Sequence, residues 1–346
     1  MALDELGGWP GVLRPLLEGH DLPADTAAAA MRTILAGEAS DAQIAAFIVA
    51  LRIKGETVDE MAGMVRAMLD AATPLELGVD AIDIVGTGGS PSRRKAALNV
   101  STIACFVAAG AGAAVCKHGN RAASSTSGSF DLLEGLGLPM DLSPATIVRC
   151  VREAGVGFAF ARTFHAAMRH AAPVRADIGV PTVFNVLGPL AHPGHVRRQV
   201  IGVSDPAMAE RMVRVLAATG SVHAMAVSGD GSLDELATTG PSIVHELRDG
   251  EIRRYEVTPE SVGLARATTD QLAGGDAAAN VAKARQVLGG EAGPVRDIVV
   301  LNAAAGLVVA GVAGDLAAGV DAAQASIDAG AAAASLDRLL AVARES

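Results

Sequence analysis

The chain of 346 residues is poor in aromatics, has no excess of positive charge and shows no cysteine pattern, and each shortage removes a class of function. A formal charge of -10 leaves no broad cationic surface, which argues against general nucleic-acid binding and electrostatic attachment to membranes. Cys105, Cys116 and Cys150 stand in apolar contexts without C-x-x-C or Cys/His spacing, so they read as free buried thiols. The alanine-rich stretches at 303–312 and 329–336 are too interrupted or too weakly apolar for membrane spans. The opening MALDELGGWPGVL has no charged segment followed by a signal-length apolar run, so the expected location is the cytoplasm. Only 3% of residues are aromatic while half are apolar, and the abundance of Ala and Gly suits closely packed helices. A standard nucleotide box is missing too: GTGGS at 86–90 has neither the P-loop spacing nor that of the dinucleotide fingerprint.

What is present is concentrated between Asp83 and Glu134. Two glycine- and hydroxyl-rich loops, Gly86 to Ser90 and Gly119 to Ser129, each follow a short apolar run and lead into a helical pattern. The runs at 83–85 and 113–116 read as buried strands, so both loops emerge at strand ends, where open α/β sheets bind ligands. Glycines let backbone N–H groups approach an anion, a following helix N-terminus favours negative charge, and Lys117 and Arg121 add cations beside the second loop. Asn99, Ser101, Thr102, His118 and Asn120 lie between or within these loops, and so many polar groups around buried strands point to a substrate carrying several phosphates.

Upstream, residues 13–72 read as helices broken at 20–23, 37–41 and 55–59, with Ser40 as a helix cap and Thr57 with Glu60 as a capping box. Their faces carry little chemistry and suit packing or dimerisation. Downstream, Ser129 is expected to cap a helix from Phe130, 144–154 to form a helix, and 156–160 a buried strand. The segment 161–190 gathers Arg162, His165, Arg169, His170, Arg175 and Asn185 among apolar residues, and an arginine there suits an anionic ligand. Alternating strand and helix patterns follow from Arg198, with a hairpin around Asp249-Gly250. Between them, Asp234 and Glu235 sit in a glycine-rich loop, where paired carboxylates facing a polyphosphate suit Mg²⁺, the alternative being solvated loop charges. The stretch 270–340 is mainly helical.

In family order, the segments ASDAQIAAFIVALRIKGET, DIVGTGG, NVSTIA, KHGNRAASSTSGSFDLLEGLG, HAAMRHAAPVR, PTVFNVLGPL, LDEL, GGDAAANVA and GPVRDIVVLNAAAGL make the chain resemble the anthranilate phosphoribosyltransferases, of the nucleoside-phosphorylase-like phosphoribosyltransferase superfamily. The resemblance spans nearly the whole chain. It implies an α/β fold: a small N-terminal helical domain, residues 1–75, that dimerises and is joined by helices from about 163–190, and a large domain, residues 76–346, with a central mostly parallel sheet. The implied reaction transfers a phosphoribosyl group from 5-phosphoribosyl 1-diphosphate (PRPP) to the amine of anthranilate, with Mg²⁺ as cofactor. The implied PRPP residues are Gly86, Thr87, Gly89, Ser90, Asn99, Ser101, Thr102, Lys117, Gly119, Asn120, Arg121, Ser124 and Ser125. Gly86, His118, Asn120 and Arg175 are implied for the aromatic acid, and Ser101, Asp234 and Glu235 for the metal. His118 suits a proton relay, with a structural histidine as the other reading.

Two departures stand out against the family pattern. Ser90 occupies an aspartate position, the connection 91–98 is longer and carries Arg93, Arg94 and Lys95, and Ala97 stands where Thr or Ser is usual. Either cations replace a second metal there or the loop is an exposed insertion. Arg162 and Ala166 replace prolines beside the aromatic-acid tunnel. A paralogue acting on another aromatic acid is therefore the rival reading, and a non-catalytic nucleic-acid-binding homologue the rival from another class.

Overall fold

The computed structural model describes residues 2–88, 98–121 and 128–345. Helices α1 (Gly8–Leu17), α2 (Ala24–Leu35), α3 (Asp41–Lys54) and α4 (Val58–Asp70) precede any strand. Their boundaries follow local chemistry. The Ser40 side chain accepts from the Gln43 amide and Thr57 from the Glu60 amide, and in both the third helical residue answers back, so the expected capping box starts α4 and the expected Ser40 cap proves to be a box as well. Glu60 is fully buried yet satisfied: it accepts from the Leu22 and Thr57 amides and from the Lys54 ammonium at 2.8–3.0 Å.

The rest alternates strands with helices: β1 (Ile82–Gly86), α5 (Val100–Gly110), β2 (Val115–Gly119), α6 (Ser129–Leu136), α7 (Pro144–Arg149), β3 (Val156–Phe160), α8 (Ala161–Phe164), α9 (Ala172–Ile178), α10 (Phe184–Leu190), β4 (Arg198–Gly202), α11 (Pro206–Ala218) and β5 (His223–Ser228). The hairpin β6 (Ser242–Arg248) and β7 (Glu251–Val257) turns through Asp249 and Gly250, both at positive φ. Helices α12 (Ala277–Leu288), α13 (Pro294–Ala310), α14 (Leu316–Asp328) and α15 (Ala331–Arg344) close the chain. The strands form one mixed sheet in the order β3-β2-β1-β4-β5-β6-β7, parallel from β3 through β5 and antiparallel at β6 and β7. Because the chain winds outward from β1 to β3 and then in the other direction from β4, the order reverses between β1 and β4. That switch point is where an open sheet leaves a crevice at its strand ends.

Two local expectations are corrected. Gly128, not Ser129, caps α6: its N–H is bound by Asp131, while Ser129 turns its hydroxyl to the Asn120 carbonyl. The expected helix over 144–154 is α7 followed by a π-helical turn, Cys150–Ala154.

One apolar core surrounds α5 and α13, both buried against the sheet. A second unites α1–α4 with side chains of α9, α10 and α11. No helix of the described residues is long and apolar enough to cross a membrane. Close approach in the first core depends on small residues. A Cβ on Gly110 would lie 2.4 Å from Ser326 Oγ and 2.6 Å from the Ala332 nitrogen. Gly110→Ala is expected to destabilise the fold by about 1–3 kcal/mol, the usual cost of overpacking, measured by urea denaturation. A midpoint equal to the parent's would show that α14 and α15 yield freely.

Candidate active site

The site is built at the switch point. In the register of the β1–β4 pair, Gly86 lies opposite Gly202. The loop after β5 rests on both: a Cβ on Gly202 would lie 1.7 Å from the Asp234 carbonyl oxygen, and one on Gly86 would lie 2.8 Å from its Oδ2. Any larger residue at either position would push the acidic loop off the sheet. Asp234 Oδ2 accepts the Gly88 N–H at 2.8 Å, so the first glycine loop and the acidic pair touch directly across 146 residues of sequence. Glu235 beside it is buried. The loop itself turns through Gly231 and Ser232 at positive φ and closes with reciprocal Gly229–Leu233 backbone bonds.

One strand away, Lys117 on β2 is 2% exposed. Its ammonium donates to the Ile84 carbonyl and, at 3.2 Å, to Ser101 Oγ in the first turn of α5. The neighbouring charge is Asp83, fully buried, whose Oδ1 accepts the His118 N–H at 3.3 Å. Burial pushes the Asp83 carboxyl up to about 7, against the opposing pull of Lys117 and hydrogen bonds from the His118 amide and the Gln199 side chain. Lys117 thus ties the end of β1 to the first turn of α5 and orients Ser101.

Three buried imidazoles, His118, His165 and His192, lie side by side, with ring centroids 5.1 and 5.7 Å from His118 to its two neighbours. His192 donates from Nε2 to the Cys116 carbonyl and accepts the Gly194 N–H at Nδ1, which specifies a neutral ring. Its pKa falls to about 4 through burial. His165 bonds the Ala191 carbonyl and is lowered by burial. His118 is lowered well below the ordinary value, first by burial and then by the other two rings, while a hydrogen bond to the Gly188 backbone opposes the shift. Its Nε2 has no hydrogen-bond partner among the described residues. Helix α10 connects this ring to Arg175. Phe184 in its first turn lies under Arg175, with the guanidinium carbon 5.4 Å from the ring centroid, and Gly188 follows one turn later on the same face. Burial lowers the Arg175 pKa, and no carboxylate of the described residues pairs with it.

The remaining expected residues fall around this frame. Thr87 donates its N–H to the Gly202 carbonyl, and Thr102 is buried in α5, just after Asn99 at the helix start. Gly119 ends β2 with Ser129 Oγ 2.4 Å from where its Cβ would be. Asn120 is exposed and accepts the Arg121 N–H, and its backbone carbonyl holds the start of α6. The Arg121 guanidinium is held by Asp131 and Glu134 at 3.2 and 2.8 Å, so its charge is shared with α6. Arg162 and Ala166 are exposed, Asn185 closes a local turn with the Thr182 N–H, and the His170 ring covers Gly37. Gly89, Ser90, Arg93, Arg94, Lys95, Ala97, Ser124 and Ser125 lie outside the described residues. Sequence reasoning passed over Asp83, His192 and Asn302. Their signal was chemical contrast: a carboxylate inside a strand-like apolar run, an imidazole following a helix end, and an amide in an apolar helix.

The end of β1, the acidic pair and the Lys117–Ser101 contact thus meet at the switch point, and the family match gives the class, a glycosyl transferase. Residues 78–333 match the α/β domain of a glycosyl transferase family and residues 10–72 its helical bundle domain. The chain is 52% identical over 327 residues to an anthranilate phosphoribosyltransferase of Chloroflexus aggregans, covering 94% of this chain and 95% of that protein. It is 50% identical over 331 residues to one of Roseiflexus sp., covering 95% and 96%. The Thermus thermophilus crystal structure of that enzyme superposes with a TM-score of 0.91 at 44% identity, covering 96% of this chain and 99% of the other. The Saccharomyces cerevisiae enzyme, solved with PRPP and Mg, gives 0.88 at 27%, covering 98% of each. The chain belongs to the anthranilate phosphoribosyltransferase family.

The histidine cluster sets an acid limit. All three rings have folded pKa values below the unfolded value of about 6.5, so the unfolded chain binds more protons as pH falls. Their contribution is complete above about pH 6.5 and is lost progressively below it, down to about 4 for His192. Stability is expected to fall between pH 6.5 and 4.5, with the Asp83 carboxyl, raised to about 7 in the fold, offsetting part of the loss. His192→Gln should flatten that slope by about 1.4 kcal/mol per pH unit in urea titrations. An unchanged slope would remove His192 from the acid response.

Proposed function

We propose that this site transfers the phosphoribosyl group of PRPP to the amine of anthranilate, releasing diphosphate, the activity carried in the names of its relatives. The product, N-(5-phosphoribosyl)anthranilate, belongs to tryptophan biosynthesis. The observation that carries the reading is the Gly86–Gly202–Asp234 junction. It brings the first glycine loop and the acidic pair together at the strand ends, beside buried Lys117 and Ser101.

The residues fit Mg²⁺, which the yeast enzyme binds alongside PRPP. Asp234, Glu235 and the Ser101 hydroxyl offer hard oxygen donors. Among the described residues no group of three His, Cys, Asp or Glu side chains forms a site alone, and Mg²⁺ held here would draw further oxygen ligands from substrate and water. When bound, the ion neutralises charge that builds on diphosphate as it leaves. Lys117 does not reach outward for phosphate; it fixes Ser101 and the end of β1 from below. The start of α5 favours the substrate's negative charge.

On the acceptor side, Arg175 holds the carboxylate through its planar fork while Phe184 stiffens it from beneath. The anthranilate amine is neutral and already nucleophilic, so its placement against the ribose carbon matters more than a strong base. His118, buried and kept neutral, is too weak a base for a strong proton acceptor and supports the strand end beside the site.

Homodimerisation belongs to the same reading. Residues 1–75 with the helices of 163–190 form the dimerisation unit. On α1 and α3, Leu17 (78% exposed), Val49 and Ile53 (82% exposed) leave apolar side chains in water, Val49 and Ile53 one turn apart on one face.

Turnover of PRPP with a panel of aromatic acids, with and without Mg²⁺, is expected to show Mg²⁺-dependent reaction of anthranilate. Reaction with another acid and none with anthranilate would establish the paralogue reading, for which Arg162 and Ala166 speak. In the same assay Arg175→Ala should raise the anthranilate KM about 10- to 100-fold and leave the PRPP KM near the parent value, as loss of a charged hydrogen-bonded pair predicts. Ile53→Asp should halve the mass measured by light scattering, and a parent that is already monomeric would refute the dimer.

A further inference from the structure

We infer that Asn302 is a positioning residue for the acidic loop, holding Asp234 and Glu235 at the height where a metal-bound diphosphate is received; this rests on the function proposed above. Asn302 is the one polar side chain among the twelve buried residues of α13. Its amide is fully used. Oδ1 accepts the Leu236 N–H at 3.0 Å, and Nδ2 donates to the Leu236 carbonyl at 2.9 Å and to the Ile298 carbonyl at 2.9 Å. By answering both backbone groups of one residue, the side chain acts as a neighbouring strand would for a loop that has none.

The bond reaches the acidic pair through covalent geometry. The Leu236 nitrogen and the Glu235 carbonyl share one planar peptide, so fixing that N–H fixes the plane following Glu235. The Glu235 carbonyl oxygen in turn sits against Gly229, 2.3 Å from where a Cβ would be. The next amide, Ala237, is held by the buried Ser242 hydroxyl at 2.8 Å. On the other flank Asp234 rests on Gly86 and Gly202 and accepts from Gly88. The two carboxylates are therefore clamped between the sheet and α13. The height of α13 is itself set by β1: Gly306, one turn beyond Asn302 on the same face, has Ile84 Cδ1 2.5 Å from its missing Cβ. Glycine 306 brings the helix close enough for Asn302 to reach the loop.

A merely structural amide and a positioning amide differ in what their loss changes. The test titrates Mn²⁺ in the presence of inorganic diphosphate, read by electron paramagnetic resonance, on the intact protein and on Asn302→Asp, Asn302→Leu and Val300→Ala. Val300 is a buried neighbour in the same helix and serves as the stability control. Asn302→Asp keeps the acceptor for the Leu236 N–H while losing both donors, and carries the test if Asn302→Leu does not fold. Both Asn302 variants are expected to weaken Mn²⁺–diphosphate binding about 10- to 100-fold, as loss of a group supporting metal ligands does, while Val300→Ala lowers Tm and leaves binding within about twofold of the parent. In turnover, the PRPP KM should rise and the anthranilate KM stay put. Binding by the Asn302 variants equal to the parent's would overturn the positioning role alone, as would equal weakening in Val300→Ala. A parent that does not bind Mn²⁺–diphosphate would overturn the proposed function, and this inference with it.

Discussion

The contact on which the site depends is between two glycines and a carbonyl. Gly86 and Gly202 face each other at the ends of β1 and β4, and the Asp234 backbone occupies the space that side chains would take. Backbone against backbone at such distance is open only to glycine. It allows the first glycine loop, the acidic pair and the strand ends to meet, and it lets Asp234 bond the Gly88 amide. The supports behind this contact, α13 with Gly306 and Asn302, extend the same economy of small residues.

Beneath the crevice the protein buries charge at a cost. Asp83 and Lys117 are removed from water together, and three imidazoles are held neutral beside them. A buried pair seldom adds net stability, because desolvation offsets most of its attraction. Here the pair instead fixes directions: Lys117 toward Ser101 and Ile84, Asp83 toward the amide of His118. The acid sensitivity expected of the fold is the other face of this arrangement.

Much of the fold was legible because it is written in local patterns. The breaks at 20–23, 37–41 and 55–59, the Ser40 cap, the Thr57–Glu60 capping box and the Asp249-Gly250 hairpin follow from short-range sterics and hydrogen bonds, which a sequence displays openly. Errors arose where two local solutions compete. Ser129 is a good cap by type, yet Asp131 can bind the Gly128 N–H and free Ser129 for the Asn120 carbonyl. The helix over 144–154 has the right composition throughout, and only its packing turns the last five residues into a π-helical turn.

The sequence by itself determined the order of elements, the glycine loops at strand ends, the acidic pair and the family they spell out, since each depends on residues near in the chain. Only the tertiary structure decided what each charge is for. Lys117 and Arg121 look alike as cations beside a phosphate loop, yet one is sealed under Ser101 and the other is shared with Asp131 and Glu134. Asp83, His192 and Asn302 acquire their roles from partners 35, 76 and 66 residues away. The reason is physical: a side chain's charge and hydrogen-bonding capacity are intrinsic, but desolvation and partnership depend on what the fold places around it.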